Sequence, residues 1–308
     1  MRILVVGGTG LIGSHAARLL AAEGEDVVIA GRTAPEAPSL VEELDFLEGD
    51  YAAGDFTPER LRGFDAVVMA AGNDIRHVAP GAGDVDLTDF WERMQSGGIP
   101  AVAEAARAAE VGRFIQVGSC YHVVRPEWAE TNPYVRARRD ADERARALTT
   151  DEFAVVTLNP PPIVGMTPGI ATRRYSRLFR WARGEDPKWP LTAPPGGTNF
   201  VTVRSLAEAI RGALWVGRPG EAYLIGDENL SYRDYFQTIV DLVGGTGRVE
   251  VVDAEHWFLP DRMIVPGRSA MFSYEPDPAA VALLGYRRDD IRPMLAAMVA
   301  QARTAGLV

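Results

Sequence analysis

Seven residues near the N-terminus, Gly7-Gly8-Thr9-Gly10-Leu11-Ile12-Gly13, follow an apolar run directly and open a helical pattern. Glycines at 7, 10 and 13 in that context describe a phosphate-binding turn. Gly7 makes the turn, Gly10 lets backbone N–H groups approach a pyrophosphate, and Gly13 lets the helix pack closely on the strand. Thr9, Leu11 and Ile12 contribute the remaining contacts, and the helix N-terminus favours the negative charge. An acid at the end of the second strand would bind a ribose 2′-hydroxyl. Here Val27-Val28-Ile29-Ala30 runs instead into Gly31-Arg32-Thr33. A guanidinium and a hydroxyl suit a 2′-phosphate, because arginine offers phosphate oxygens a rigid donor fork. The expected cofactor is therefore NADP (NADPH).

Other reactive side chains are few. His15, His77 and His256 stand alone, without metal-ligand spacing, and read as structural. The single cysteine, Cys120, can neither close an intramolecular disulfide nor supply a structural zinc site, and reads as a small buried residue. No metal is expected, and a reducing compartment, the cytoplasm, is. Across 308 residues, 32 Lys and Arg stand against 42 Asp and Glu, and a net charge of −10 repels phosphate backbones and anionic lipid, so nucleic acid is excluded as a partner. The N-terminal apolar run is too short for a secretion signal, and no stretch approaches the ~20 apolar residues of a membrane span. A small-molecule substrate is the expected partner, with the chain a monomer or a homodimer.

The elements that must position these residues follow from periodicity. Arg2–Val6, Asp26–Ala30, Leu44–Leu47, Ala66–Ala70, Arg113–Val117 and Phe153–Leu158 read as strands, and Leu11–Glu23, Ala101–Glu110 and Pro133–Leu148 as helices. Strands alternating with helices imply right-handed crossovers and a parallel sheet, an α/β, doubly wound architecture. After Pro160-Pro161-Pro162 the pattern loosens. A helix near Ala171–Ala182 precedes short strands at Phe200–Val203, Glu221–Ile225 and Arg248–Val252, and helices at Ser205–Leu214, Tyr232–Leu242, Pro278–Leu284 and Ile291–Ala302. Residues 1–160 are expected to form the dinucleotide-binding domain, with 200–225 returning to it. Residues 161–308 are expected to form mainly a smaller C-terminal α/β substrate-binding part and lid.

Beyond the glycine turn, the chain resembles the extended, epimerase-like branch of the short-chain dehydrogenase/reductase superfamily over essentially its whole length. Gly49-Asp50 and Asp55 resemble the segment that contacts adenine, and Ala70-Ala71-Gly72 the loop over the cofactor. Phe114-Ile115-Gln116-Val117-Gly118-Ser119 resembles the strand that carries a catalytic serine, and Asn159-Pro160-Pro161 the proline turn before the nicotinamide. Asn199–Val203, Leu206-Ala207 and Leu284-Gly285-Tyr286 resemble C-terminal landmarks of the branch. The resemblance implies a Rossmann sheet. It adds Asp50, Tyr51, Ala70, Ala71, Gly72, Val117 and Pro160 to the cofactor contacts.

It also implies a catalytic set of Ser119, Tyr134 and Arg138. A tyrosine donates the proton, a lysine four residues on lowers its pKa and holds the nicotinamide ribose, and a serine bonds the substrate oxygen. Here the motif is Tyr134-Val135-Arg136-Ala137-Arg138, with arginine in the lysine position, and Gln95 falls where the branch carries asparagine. Arg138 supplies charge and hydrogen bonds but stays protonated. Tyr121 and His122 are reserve proton donors. On the substrate side, Tyr175, Phe179, Trp181, Trp189, His256, Trp257, Phe258, Phe272 and Tyr274, with loop residues Trp91 and Trp128, suit either flat ring systems or an ordinary core. The implied activity is an NADPH-dependent ketoreductase for a bulky, polycyclic aromatic or polyketide-type ketone, like the tailoring enzymes of antibiotic biosynthesis. Arg173, Arg174, Arg177, Arg180 and Arg268 leave open a nucleoside-diphosphate-sugar epimerase or dehydratase. The arginine in the lysine position leaves open a catalytically inactive NADP sensor.

Overall fold

The computed structural model describes residues 1–72, 84–168, 172–186 and 188–307. His77 and Ala171 therefore lie outside the described residues. The chain forms two compact units. The first comprises Met1–Pro160, Val203–Ile225 and Pro276–Arg287, and the second Pro161–Thr202, Gly226–Glu275 and Arg288–Val308.

The first unit begins with β1 (Arg2–Val6), α1 (Leu11–Ala22), β2 (Asp26–Gly31) and β3 (Asp45–Glu48), then a 3₁₀ turn at Tyr51–Ala53, α2 (Pro58–Leu61) and β4 (Ala66–Met69). It continues with α3 (Asp84–Trp91), a π-helical turn at Glu92–Ser96, α4 (Gly98–Ala108), β5 (Arg113–Val117), α5 (Tyr121–Val124), α6 (Trp128–Thr131), α7 (Pro133–Arg146) and β6 (Ala154–Asn159). In the second unit lie β7 (Ile163–Val164), α8 (Thr172–Ala182), β8 (Thr192–Ala193) and β9 (Gly197–Thr202). α9 (Val203–Val216) and β10 (Ala222–Leu224) return to the first unit. The second resumes with β11 (Glu228–Ser231), α10 (Tyr232–Val243), β12 (Glu250–Val251), a 3₁₀ turn at Asp261–Met263 and β13 (Met271–Phe272). α11 (Pro278–Leu284) again belongs to the first, and α12 (Ile291–Thr304) to the second.

Seven parallel strands in the order β10-β6-β5-β4-β1-β2-β3 make the sheet of the first unit. Both faces are covered by helices, which is why β1, β4 and β6 are almost wholly apolar and buried. The order reverses between β1 and β4. In doubly wound sheets that switch point opens a crevice at the carboxyl ends of the strands, and the glycine turn after β1 and residues 70–72 after β4 both lie there. α1 turns Ala16, Ala17 and Leu20 inward and packs on α9, while Gly212 lets α9 meet α11, since a Cβ there would lie 2.0 Å from the Leu284 carbonyl.

The long strands and helices fall within a few residues of their expected places. One helix expected from Ala101 starts at Gly98, because Pro100 in a first turn lacks an N–H that would have no partner anyway. Short pieces escape periodicity: α3, the π turn, α5, α6 and the two-residue strands. Trp91 and Trp128, expected in loops, sit on α3 and α6. In the second unit β9 pairs antiparallel with β11 and parallel with β7 and β13, and β8 pairs with β12. α10 packs against α8 and α12.

Candidate functional site

The turn after β1 is built by main chain. Gly7 N–H donates to the Ala30 carbonyl at 2.8 Å, and Gly10 N–H to the Gly7 carbonyl at 2.9 Å. Gly7 has φ +82°, and a Cβ there would stand 2.6 Å from the Ala71 nitrogen, so glycine is what allows residues 70–72 to close over the turn. At Gly13 a Cβ would lie 2.2 Å from the Gly7 carbonyl oxygen, which ties the helix to the strand end. Gly10 caps α1 in extended conformation without a side-chain acceptor, so the first-turn N–H groups of Leu11, Ile12 and Gly13 are left for an acceptor from outside the helix. That cradle fits a pyrophosphate. Arg32 and Thr33 follow β2 and are exposed.

Asp50 and Tyr51 shape the next loop. The Asp50 side chain accepts Ala52 N–H at 2.9 Å, and its N–H donates to the Asp55 carboxylate at 2.8 Å. Tyr51 is buried and donates from its hydroxyl to the Met94 carbonyl at 2.9 Å. After β5, Ser119 is 4% exposed and its N–H donates to Asn159 Oδ1 at 2.9 Å. Val117 ends β5 in the buried sheet, and the Pro160 carbonyl accepts Cys120 N–H at 3.1 Å. Cys120 is buried.

α7 starts at Asn132, whose side chain accepts the N–H groups of Tyr134 at 3.0 Å and Val135 at 3.2 Å, with Pro133 in the first turn. The Tyr134 ring stands 5.1 Å from Trp91 and 6.5 Å from Tyr121, and the Arg138 guanidinium carbon is 5.8 Å from its centroid. Arg138 donates from Nη1 to Gln95 Oε1 and from Nη2 to the Gly118 carbonyl, both at 2.8 Å. Gln95 is fully buried, and a Cβ at Gly72 would be 3.3 Å from Arg138 Nη1. The guanidinium thus joins the π turn, the end of β5 and the loop after β4, and the residues around Ser119, Tyr134 and Arg138 form one cluster.

Beneath it lies a residue that sequence reasoning missed. Asp142 is 1% exposed, and its carboxylate meets His122 Nε2 at 3.0 Å, Arg146 Nε at 2.6 Å and Asn159 Nδ2 at 3.3 Å. Burial alone would raise its pKa, but the hydrogen bonds of His122 and Arg146 and the Arg146 charge outweigh it and hold the carboxyl below the ordinary carboxylate range. A signal was present. Asp142 follows Arg138 by one helical turn and shares the buried face with Val135, Ala141 and Ala145. Among the described residues no group of three or more His, Cys, Asp or Glu is placed to hold a metal, and no helix is long and apolar enough to cross a membrane.

In the second unit the expected substrate aromatics pack on one another. Trp181 lies 5.4 Å from both Phe236 and His256, and Phe236 4.5 Å from His256. Tyr175 stacks on Phe179, and Phe258 contacts Tyr175 and Trp257. Trp181, Phe179, Phe236 and His256 are buried, so these rings form the interior of this unit.

The sequence profile of the NAD dependent epimerase/dehydratase family matches residues 3–226. No curated protein matches the chain. Among solved structures, a double mutant of DesIV, a dTDP-glucose 4,6-dehydratase from Streptomyces venezuelae, is 25% identical with a TM-score of 0.75, covering 98% of this chain and 97% of its own. MoeE5, solved with UDP-glucose and NAD, is 23% identical with a TM-score of 0.71 over 99% of both chains. A UDP-N-acetylglucosamine 4-epimerase from Bacillus cereus is 15% identical with a TM-score of 0.73, covering 98% of this chain and 96% of its own. With the glycine turn at the switch point of a seven-stranded parallel sheet and that profile spanning most of its length, the chain belongs to the NAD dependent epimerase/dehydratase family.

Proposed function

We propose that the chain is an NADP-dependent ketoreductase that reduces a bulky ketone, of the polycyclic aromatic or polyketide type. The partners already held by Arg174, Arg177 and Arg268 support this reading. A sugar nucleotide needs free cations for its diphosphate, yet Arg174 donates to the Phe258 carbonyl at 2.7 Å and covers that ring. Arg177 pairs with Asp186 at 3.7 Å and lies 4.4 Å from Trp257, and Arg268 pairs with Asp253 and Asp261. Arg180 is exposed, and the side chain of Arg173 lies outside the described residues. A ketone makes no such demand.

The glycine turn would hold the pyrophosphate of the dinucleotide, and Arg32 with Thr33 its 2′-phosphate. When bound, the nicotinamide supplies the hydride. Ser119 hydroxyl holds the ketone oxygen, and the Tyr134 phenol gives that oxygen a proton as charge develops on it. The Arg138 guanidinium carbon lies 5.8 Å from the centre of the Tyr134 ring. Tyr134 is half-buried, and water returns a proton to its phenol.

A second reading, a nucleoside-diphosphate-sugar epimerase or dehydratase, is favoured by the DesIV likeness, whose structure holds NAD and DAU. Reduced-nicotinamide absorbance separates the two. A ketoreductase consumes NADPH stoichiometrically with a ketone, and Tyr134→Phe should lower that rate by about 10²–10⁴ with cofactor affinity nearly unchanged. Turnover of a sugar nucleotide without net cofactor change would establish the second reading instead. No turnover on either panel would leave the inactive NADP sensor.

A further inference from the structure

The peptide group that carries Ser119 is gripped at both polar ends. Its carbonyl, on Gly118, accepts from Arg138 Nη2 at 2.8 Å, and its N–H donates to Asn159 Oδ1 at 2.9 Å. A Cβ at Gly118 would lie 2.1 Å from that same oxygen, so glycine admits the amide here. Asn159 is fully buried and is oriented by its Nδ2, which donates to Asp142 Oδ2 at 3.3 Å. Asp142 is anchored by His122 at 3.0 Å and by Arg146, whose Nη1 also reaches the Gly220 carbonyl at 3.2 Å. Arg138 and Asp142 stand one turn apart on α7, so one helix face controls both ends of the serine peptide, one directly and one through Asn159.

A buried carboxylate is costly, and apolar side chains of like volume would fill this space at lower cost. Its partners also do more than neutralise it, since one of them orients the amide that holds Ser119. Arg138 Nε and His122 Nδ1 are buried without a partner among the described residues, a further cost of the arrangement. Arginine suits the upper grip better than lysine. Its fork delivers two donors in fixed directions, to Gln95 and to Gly118, where an ammonium offers all its donors from one point.

We propose that Arg138, Asn159, Asp142 and His122 are positioning residues that set the orientation of the Ser119 hydroxyl, Arg138 acting through the serine peptide rather than through the nicotinamide ribose. The proposal rests on the reading that Ser119 meets the substrate oxygen. A misplacement of about 1 Å at a reacting group can cost on the order of a hundredfold in rate, so the grip matters to catalysis more than to folding.

The test uses the full chain labelled with ¹⁵N-serine, the Ser119 amide being identified by its loss in Ser119→Ala. Amide exchange at Ser119 should quicken by at least about tenfold in Asp142→Asn and in Arg138→Ala while the melting temperature moves by only a few degrees. With NADPH and a ketone that turns over, kcat should fall roughly ten- to a hundredfold in both variants, with cofactor Kd changed less than about threefold. Added guanidinium ion should restore part of kcat to Arg138→Ala alone. If Asp142→Asn does not fold, His122→Gln, which removes one anchor of the carboxylate, takes its place. Unchanged Ser119 exchange overturns the proposal, as does an Arg138→Ala loss of kcat matched by an equal loss of cofactor affinity. Should the wild type reduce no ketone, the ketoreductase reading falls, and the exchange measurement alone still decides whether the grip exists.

Discussion

At the end of β2, we propose that two side chains set the choice of cofactor. Arg32 and Thr33 are exposed, and a guanidinium with a hydroxyl suits a 2′-phosphate. A charge-assisted contact of that kind contributes about 1.5–3 kcal/mol. Titration calorimetry should therefore find NADPH bound more tightly than NADH by that amount, and Arg32→Ala should bring the two affinities together. Equal affinities in the wild type would remove the assignment. Arg138 has the opposite character, since both of its terminal nitrogens are already taken by Gln95 and Gly118.

Among elements, the meeting of α8, α10 and the 254–258 segment shows packing overriding a chemical expectation. His256 is inserted between Trp181 and Phe236, and its Nδ1 accepts Phe258 N–H at 3.3 Å. Burial there pushes its pKa down to about 4, from an ordinary 6.5. The folded chain keeps the ring neutral where the unfolded chain has already bound a proton. Stability from this group is thus complete above about pH 6.5 and is lost as pH falls from there towards 4, by up to about 3 kcal/mol. Urea unfolding at neutral pH and near pH 4.5 measures the loss, and His256→Gln should remove most of it. An identical acid dependence in both proteins would show that the protons are taken up elsewhere.

At the scale of the molecule, the nucleotide-binding unit is not one stretch of chain. β10 pairs with β6 to form one sheet edge, α9 covers α1, and α11 covers α9, yet these pieces lie at Val203–Ile225 and Pro276–Arg287. Residues 1–160 alone would leave uncovered the surface that α9 meets with Leu206, Ile210 and Leu214, each worth about 1.5–3 kcal/mol when buried. That fragment should show no cooperative melt by circular dichroism and no NADPH binding. A cooperative melt with cofactor binding would mean that the first 160 residues fold alone.

By itself the sequence determined what depends on near neighbours. The glycine turn, the alternation of buried strands with amphipathic helices and the start of α7 at Pro133 were all legible, because each rests on a pattern a few residues long. Tertiary structure decided what depends on partners far along the chain. Gln95 meets Arg138 across 43 residues, and Asn159 meets Ser119 across 40. No periodicity encodes such pairs, since a polar side chain on a buried helix face shows only that something must satisfy it, not which group does. The aromatic residues make the same point. Their composition suited a substrate pocket or a core equally, and only the packing of α8 on α10 committed Trp181, Phe236 and His256 to the interior, where burial outweighs any contact with solvent or ligand.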